Sequence, residues 1–162
     1  MPPAIHVRDA RDDDRETLFL FHKELYETHR DRVVAQEDLP LIAYRDYERI
    51  LADDLHALMK DPTAHVLLAE ENGRPIGYIT GRITTESRRI LPRRGVIEDW
   101  YVEESARGSG VGKRLLAELE RRFVAAGCQV VESATWSANT DARRAHEALG
   151  FHEIRVIYRK LL

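Results

Sequence analysis

Arg107-Gly108-Ser109-Gly110-Val111-Gly112-Lys113 follows a mostly apolar run, Val96 to Val102, and leads into a pattern with Leu115, Leu119 and Phe123 on one stripe and Arg114, Glu118 and Arg122 turned outward. Strand, glycine-rich turn and helix are therefore expected in that order. Glycines supply backbone torsions that other residues avoid and let a ligand approach the main chain. The N–H groups of a first helical turn have no partner inside the helix and lie at the positive end of its dipole. The stretch predicts an anion site, and a phosphate is the natural guest.

Spacing separates the phosphate motifs that compete for this stretch. A P-loop needs a glycine ahead of its Gly-Lys and a Ser or Thr after it, but Arg107 and Arg114 hold those places. A dinucleotide fingerprint needs G-x-G-x-x-G almost directly after its strand, whereas the glycines here are Gly108, Gly110 and Gly112, well beyond Val102; only Glu132 lies at a fitting distance. A turn with no ligand would leave its outward N–H groups to water.

The 162 residues are expected to form a single domain, 1–162, large enough to bury a core without disulfides or metals. A net charge of −3 with 33% charged residues gives no basic field for nucleic acid and no polybasic block for a membrane. Cys128 is the only cysteine, no apolar run reaches membrane-spanning length, and the N-terminus lacks a secretion-signal core, so a cytoplasmic protein is expected.

Ala4 to Arg8 reads as a strand, and Leu18, Phe21 and Leu25 mark a helix packed by one face. Asp31 to Pro40 is an acidic loop; Tyr47, Leu51, Leu55 and Leu58 mark a second helix that ends at Asp61-Pro62. Val66–Ala69 and Ile76–Ile83 flank Asn72-Gly73, a hairpin signal. The loop with Arg88, Arg89, Arg93 and Arg94 reads as solvated or as a clamp for an acidic ligand. After the strand 96–102 and its loop, the next helix ends near Gly127, and Gln129 to Thr135 is another strand. A helix starting at Ser137-Ala138-Asn139-Thr140 ends at Gly150, and the alternation of Ile154, Val156 and Tyr158 predicts a closing strand or strand pair in 151–162. The order βααβββαβαβ places one mixed sheet between helices, an α/β fold.

Ile97-Glu98-Asp99-Trp100-Tyr101-Val102, the loop Arg107 to Gly112, and Asn139-x-x-Ala142-x-x-x-His146-x-x-Leu149-Gly150-Phe151 together resemble the GNAT superfamily of N-acetyltransferases. The resemblance runs from about residue 64 to the C-terminus; the first sixty residues match only in element order. It implies a mostly antiparallel sheet of roughly six or seven strands, splayed between two parallel central strands and flanked by about four helices. It implies acetyl-CoA as cosubstrate, without a metal. The backbone of Gly108, Ser109, Gly110, Val111, Gly112 and Lys113 would hold the pyrophosphate with Arg107 beside it, the backbone of Tyr101 and Val102 would pair with the pantetheine arm, and Asn139 would meet that arm from the other side.

Acetyl transfer to an amine poses two proton problems: an ammonium of pKa about 10.4 must lose a proton before attack, and a leaving thiolate benefits from gaining one. Glu98 and Asp99 are the base candidates, adjacent carboxylates expected on opposite faces of a strand. Glu98 stands where many members of the superfamily carry the accepting glutamate. For the acid, His146 stands where a tyrosine is usual, and it reads either as that acid or as a satisfied core histidine. The run from His146 to Phe151, continued by Arg155 to Lys160, resembles the end of bacterial aminoglycoside N-acetyltransferases. The implied acceptor is a small-molecule amine, an aminoglycoside, polyamine or amino-acid-like compound, that attacks directly in a ternary complex. Asp31, Glu37, Asp38 and Asp99 could bind its cations, and Trp100 and Trp136 could line its pocket or pack in the core. The alternatives are a non-catalytic acyl-CoA-binding regulator and a protein or peptide amine acetyltransferase. A homodimer is implied by resemblance alone. Cys128 is expected to pack rather than react.

Overall fold

The computed structural model describes residues 3–162. Strand β1 (Ile5–Asp9) leads through a short 3-10 turn into helix α1 (Arg15–Thr28), whose end unwinds into a π-helical turn at His29–Val33. The acidic loop is not formless: it holds a 3-10 turn at Gln36–Asp38 and a single helical turn, α2 (Leu39–Ile42), with proline at its start. Helix α3 (Tyr47–Lys60) follows, then strands β2 (Ala64–Glu71), β3 (Arg74–Thr85) and β4 (Arg93–Val102), helix α4 (Val111–Ala125), strand β5 (Val130–Ser133) and helix α5 (Thr140–Ala148).

The strands lie in the order β1-β2-β3-β4-β5, all antiparallel except the pair β4 and β5. Asn72 and Gly73 both take positive φ, +52° and +77°, the primed turn whose twist matches that of the strands it joins. Helix α4 covers one face through Leu115, Leu116, Leu119 and Phe123, packed on Leu67, Ile79 and Ile97. Helices α1 and α3 cover the other through Leu18, Phe21, Leu55 and Leu58, packed on Val66, Leu68, Tyr78 and Tyr101. Each such side chain contributes about 1.5–3 kcal/mol by leaving water. The Phe123 ring lies so low on the sheet that a β-carbon at Gly95 would stand 2.2 Å from its Cδ2, which is why a glycine occupies the middle of this layer.

The expected closing strand is absent. Residues 151–162 form no regular element, so the sheet has five strands rather than six or seven, and the parallel pair lies at its end instead of its centre. Alternation shows that a segment could pair; it does not supply the edge to pair with. Beyond Phe151 the arm keeps Ile154, Val156, Ile157 and Tyr158 at 69%, 58%, 77% and 91% exposure. Its tip is fixed by the Arg159 guanidinium, which donates to the Asp38 carboxylate and to the Glu37 carbonyl.

Candidate active site

The sheet opens where β5 ends. Pairing between β4 and β5 runs from Arg94 with Val130 to Ile97 with Ser133 and stops there, whereas β4 continues to Val102. The β5 side of Glu98–Val102 is thus a free edge of backbone groups, and the glycine loop and α4 follow directly from its end. Gly108 and Gly110 adopt φ of +78° and +88°, with open space where a side chain would be, and Gly110 is the N-cap of α4. Such a shape invites an anion against main-chain N–H groups. Arg107 is less free than expected, since its Nε donates to the Val102 carbonyl at 2.9 Å. Ser109 Oγ donates to Ala106 O at 2.5 Å and shapes the turn, and Lys113 stands exposed just inside the helix.

His146 marks the opposite wall. Its Nδ1 lies 2.6 Å from the Ala142 carbonyl, an acceptor only, so the ring proton belongs on Nδ1; Nε2 then accepts from Ser133 Oγ at 2.7 Å. The ring stands edge-on to Trp100 at 5.6 Å and to Phe151 at 5.2 Å. Since Ser133 pairs with Ile97, His146 sits at the split point, one residue in register from Glu98. Asn139 caps α5, its Oδ1 accepting from Ala142 N at 3.1 Å, which leaves its amide N–H groups for a ligand. Tyr101 is buried between Phe21 and Tyr78, so only its backbone can serve a ligand.

Glu98 and Asp99 do not point to opposite faces. The β3–β4 register slips between Thr80 and Gly81, which pair with Asp99 and Ile97, so Glu98 is the extra residue of a bulge. Glu98 Oε1 lies 3.4 Å from Arg82 Nε, which also stands 3.4 Å from Asp61 Oδ2. Asp99 is held by Thr80: its Oδ2 accepts from Thr80 Oγ1 at 3.1 Å, and its own N–H donates to that oxygen at 3.0 Å. Both carboxylates therefore emerge on the face covered by α1 and α3. Burial pushes the Glu98 carboxyl above the ordinary glutamate range; Arg82 opposes this, while Asp99, Asp61 and Asp54 reinforce it.

In the acidic loop two of the carboxylates have arginine partners. Asp31 is bound by Arg30 at 2.7 Å, and Asp38 by Arg159. Trp136 lies half-buried in the turn between β5 and α5, with its carbonyl accepting from Asn139 N at 2.9 Å. In the arginine loop Arg88 pairs with Glu86, and Arg94, already in β4, pairs with Glu132 of β5. Cys128 is buried in the core, as expected. Among the described residues there is no cluster of His, Cys, Asp and Glu that could hold a metal.

The sequence reading missed His22, His29, Tyr78, Thr80 and Ser133. His22 lies one residue beyond Phe21 and His29 another seven along; both fall on the flank of the α1 stripe, where only apolar spacing was followed.

Residues 13–151 match the acetyltransferase (GNAT) family. The chain belongs to this family. It is 33% identical over 114 residues to an aminoglycoside N(6')-acetyltransferase type 1 of Stenotrophomonas maltophilia, spanning 65% of this chain and 72% of that one. It is 25% identical over 160 residues to an aminoalkylphosphonate N-acetyltransferase of Salmonella typhimurium, spanning 99% and 93%. Among solved structures, AAC(6')-Iy in complex with the bisubstrate analog CoA-S-monomethyl-acetylneamine superposes with a TM-score of 0.75 at 25% identity, covering 98% of this chain and 99% of that one. The protein is an acetyl-CoA-dependent N-acetyltransferase. The free β4 edge, the open glycine turn and the first turn of α4 suit a long ligand with a pyrophosphate in its middle.

Proposed function

We propose that the acetyltransferase acylates a primary amine of a small, amine-rich molecule, of which an aminoglycoside is the first candidate, by direct attack in a ternary complex within one domain spanning residues 1–162. The observation that carries this reading is the split in the sheet at Ile97 and Ser133, with Glu98 on one wall and His146 on the other. The backbone of Tyr101 and Val102 and the N–H groups of Gly108, Ser109, Gly110, Val111, Gly112 and Lys113 hold the coenzyme, helped by Asn139. When bound, acetyl-CoA supplies a thioester carbonyl open to nucleophiles. Glu98 takes the proton from the acceptor ammonium, the more readily because burial has made it a stronger base. The freed amine forms the new C–N bond as the C–S bond breaks and releases its second proton to solvent, and His146, after taking up a proton on the Nε2 that otherwise accepts from Ser133, passes it to the leaving sulfur.

Relatives named for aminoglycosides and for aminoalkylphosphonates support an amine on a polar small molecule as the acceptor. The carboxylates Glu98, Asp99, Asp61 and Asp54 support a cationic one. With Asp31 and Asp38 neutralised by arginines, these four take over the role expected of the acidic loop, and Trp100 lines the coenzyme side beside His146. A homodimer is supported by the free outer edge of β5 and the exposed apolar arm 151–162. A cytoplasmic location accords with the unpaired, buried Cys128. No helix among the described residues is long and apolar enough to cross a membrane.

The test pairs calorimetry with turnover. Acetyl-CoA should bind at micromolar concentration, and free-thiol release should rise well above background with neamine, kanamycin or spermidine. Binding without acceptor-dependent thiol release across aminoglycosides, polyamines, amino acids and peptides would favour a non-catalytic acyl-CoA-binding regulator.

A further inference from the structure

Helix α1 brings a histidine into its largely apolar contact with the sheet. Leu18 and Phe21 bury themselves against Tyr78 and Tyr101, and beside them the His22 ring stands edge-on to Tyr78. Its Nδ1 lies 3.0 Å from Tyr78 Oη and 3.6 Å from Asp99 Oδ1. Tyr78 is fully buried, so a hydroxyl at that depth needs a partner, and His22 is the one it has. Asp99 is held by Thr80, which donates to Oδ2, while His22 Nδ1 faces Oδ1 from 3.6 Å, beyond hydrogen-bond reach. The side chains of His22 and Asp99 remain 15% and 20% exposed, so neither is sealed in the core.

Because of the bulge, this gripped carboxylate stands on the same face as Glu98, in the adjacent position of the chain. Two neighbouring anions on one half-buried face repel each other unless a cation comes between them or close to them. Of these two anions, Arg82 pairs with Glu98 and not with Asp99. We propose that His22 is a positioning residue for amine transfer: with Thr80 it fixes the Asp99 carboxylate beside Glu98 as a second anionic post, and the two posts together receive the acceptor ammonium. The proposal rests on the amine-acceptor reading of the site. Glu98 then takes the proton while Asp99 keeps the amine in place.

The groups facing Asp99 and its neighbour come from four elements. From α1 and its terminal turn come His22 and His29, the latter held below the ordinary histidine range by burial against an opposing pull from Asp99. Strand β3 contributes Tyr78, Thr80 and Arg82, and β4 contributes Glu98 and Tyr101. Asp54 of α3 and Asp61 just after it act on Glu98. Arg82 is the one permanent cation in this set, and it is shared with Asp61. A site so charged favours an incoming cation over a neutral amine.

Three variants test the proposal: His22→Leu, His22→Asn and Asp99→Asn, together with the double variant His22→Leu/Asp99→Asn. Turnover is measured on neamine or, if another amine of the panel is faster, on that amine; acetyl-CoA binding is read separately by calorimetry, so loss of the donor site is recognised as such. His22→Leu should lower kcat/KM for the amine about tenfold, chiefly through the amine KM, with acetyl-CoA affinity unchanged. His22→Asn, which can still bond Tyr78, should recover most of that loss. The double variant should be no worse than Asp99→Asn alone, because His22 acts through that carboxylate. The proposal is overturned if His22→Leu binds acetyl-CoA normally and keeps the wild-type amine KM, or if the two losses multiply in the double variant. A fall in melting temperature with no amine-specific change also overturns it, since that outcome assigns His22 to stability only.

Discussion

Glu98 shows how one side chain acquires its chemistry from its surroundings. Burial raises its pKa, so it binds a proton more tightly in the folded protein than in the unfolded chain. The sign follows: the charged form is disfavoured by folding, and replacing it with glutamine should leave the melting temperature at neutral pH unchanged or slightly higher. Catalysis responds the other way. Wild-type kcat/KM should fall as pH drops through a value above the ordinary glutamate range of about 4.3. Glu98→Gln should lose about a hundredfold in turnover near neutrality, and less as rising pH deprotonates the amine in solution. A pH–rate profile checks this; a variant with wild-type rates at every pH assigns the base elsewhere. His146 offers a contrast, because its environment gives it bonds rather than burial: Ala142 fixes its tautomer and Ser133 takes its other nitrogen.

At the scale of elements, the joint between β4 and α4 does the positioning. The helix must lie close for its first turn to reach the end of β4, and Gly95 permits this by leaving room for Phe123. Gly95→Ala should therefore cost about 1–3 kcal/mol, the usual penalty for forcing atoms into a packed layer, and it should weaken acetyl-CoA binding as α4 shifts. Denaturant unfolding measures the first effect and calorimetry the second. Adding Phe123→Leu should restore part of the stability, because the clash is with that ring; no rescue would place the strain in the strand itself. The bulge of β4 is the second device at this scale. One extra residue in a strand changed two carboxylates from opposite faces to one, and that places Asp99 beside Glu98 rather than in the α4 core.

For the whole molecule, the unfinished edge of the sheet matters most. Strand β5 has four residues, a parallel neighbour on one side and none on the other, while residues 151–162 present alternating apolar side chains to water. Exposed edges and apolar arms of this kind are driven to pair. An arm that reaches the β5 edge of a second copy would complete both sheets by the same contact, as a two-fold dimer requires. Light scattering after gel filtration should give twice the chain mass for the intact protein and the chain mass once residues 153–162 are removed. A monomeric intact protein would instead mean that the arm folds back on its own β5.

The sequence alone determined the proposed donor half of this enzyme. Asn72-Gly73 sets its turn through local torsions, and the stripe Leu115, Leu119, Phe123 and the glycine spacing 108-110-112 specify a helix with an open N-terminus. Those features are legible because they depend on neighbours a few residues apart. Tertiary structure decided the side chains of the proposed acceptor half. Whether Glu98 and Asp99 share a face depends on the register of β4 against β3, and whether His22 meets Tyr78 and Asp99 depends on how α1 crosses strands more than fifty residues further along the chain. The arm escaped the sequence for a related reason: its period-two pattern specifies a strand, but a strand exists only where another edge accepts its hydrogen bonds, and no residue in 151–162 can supply that edge.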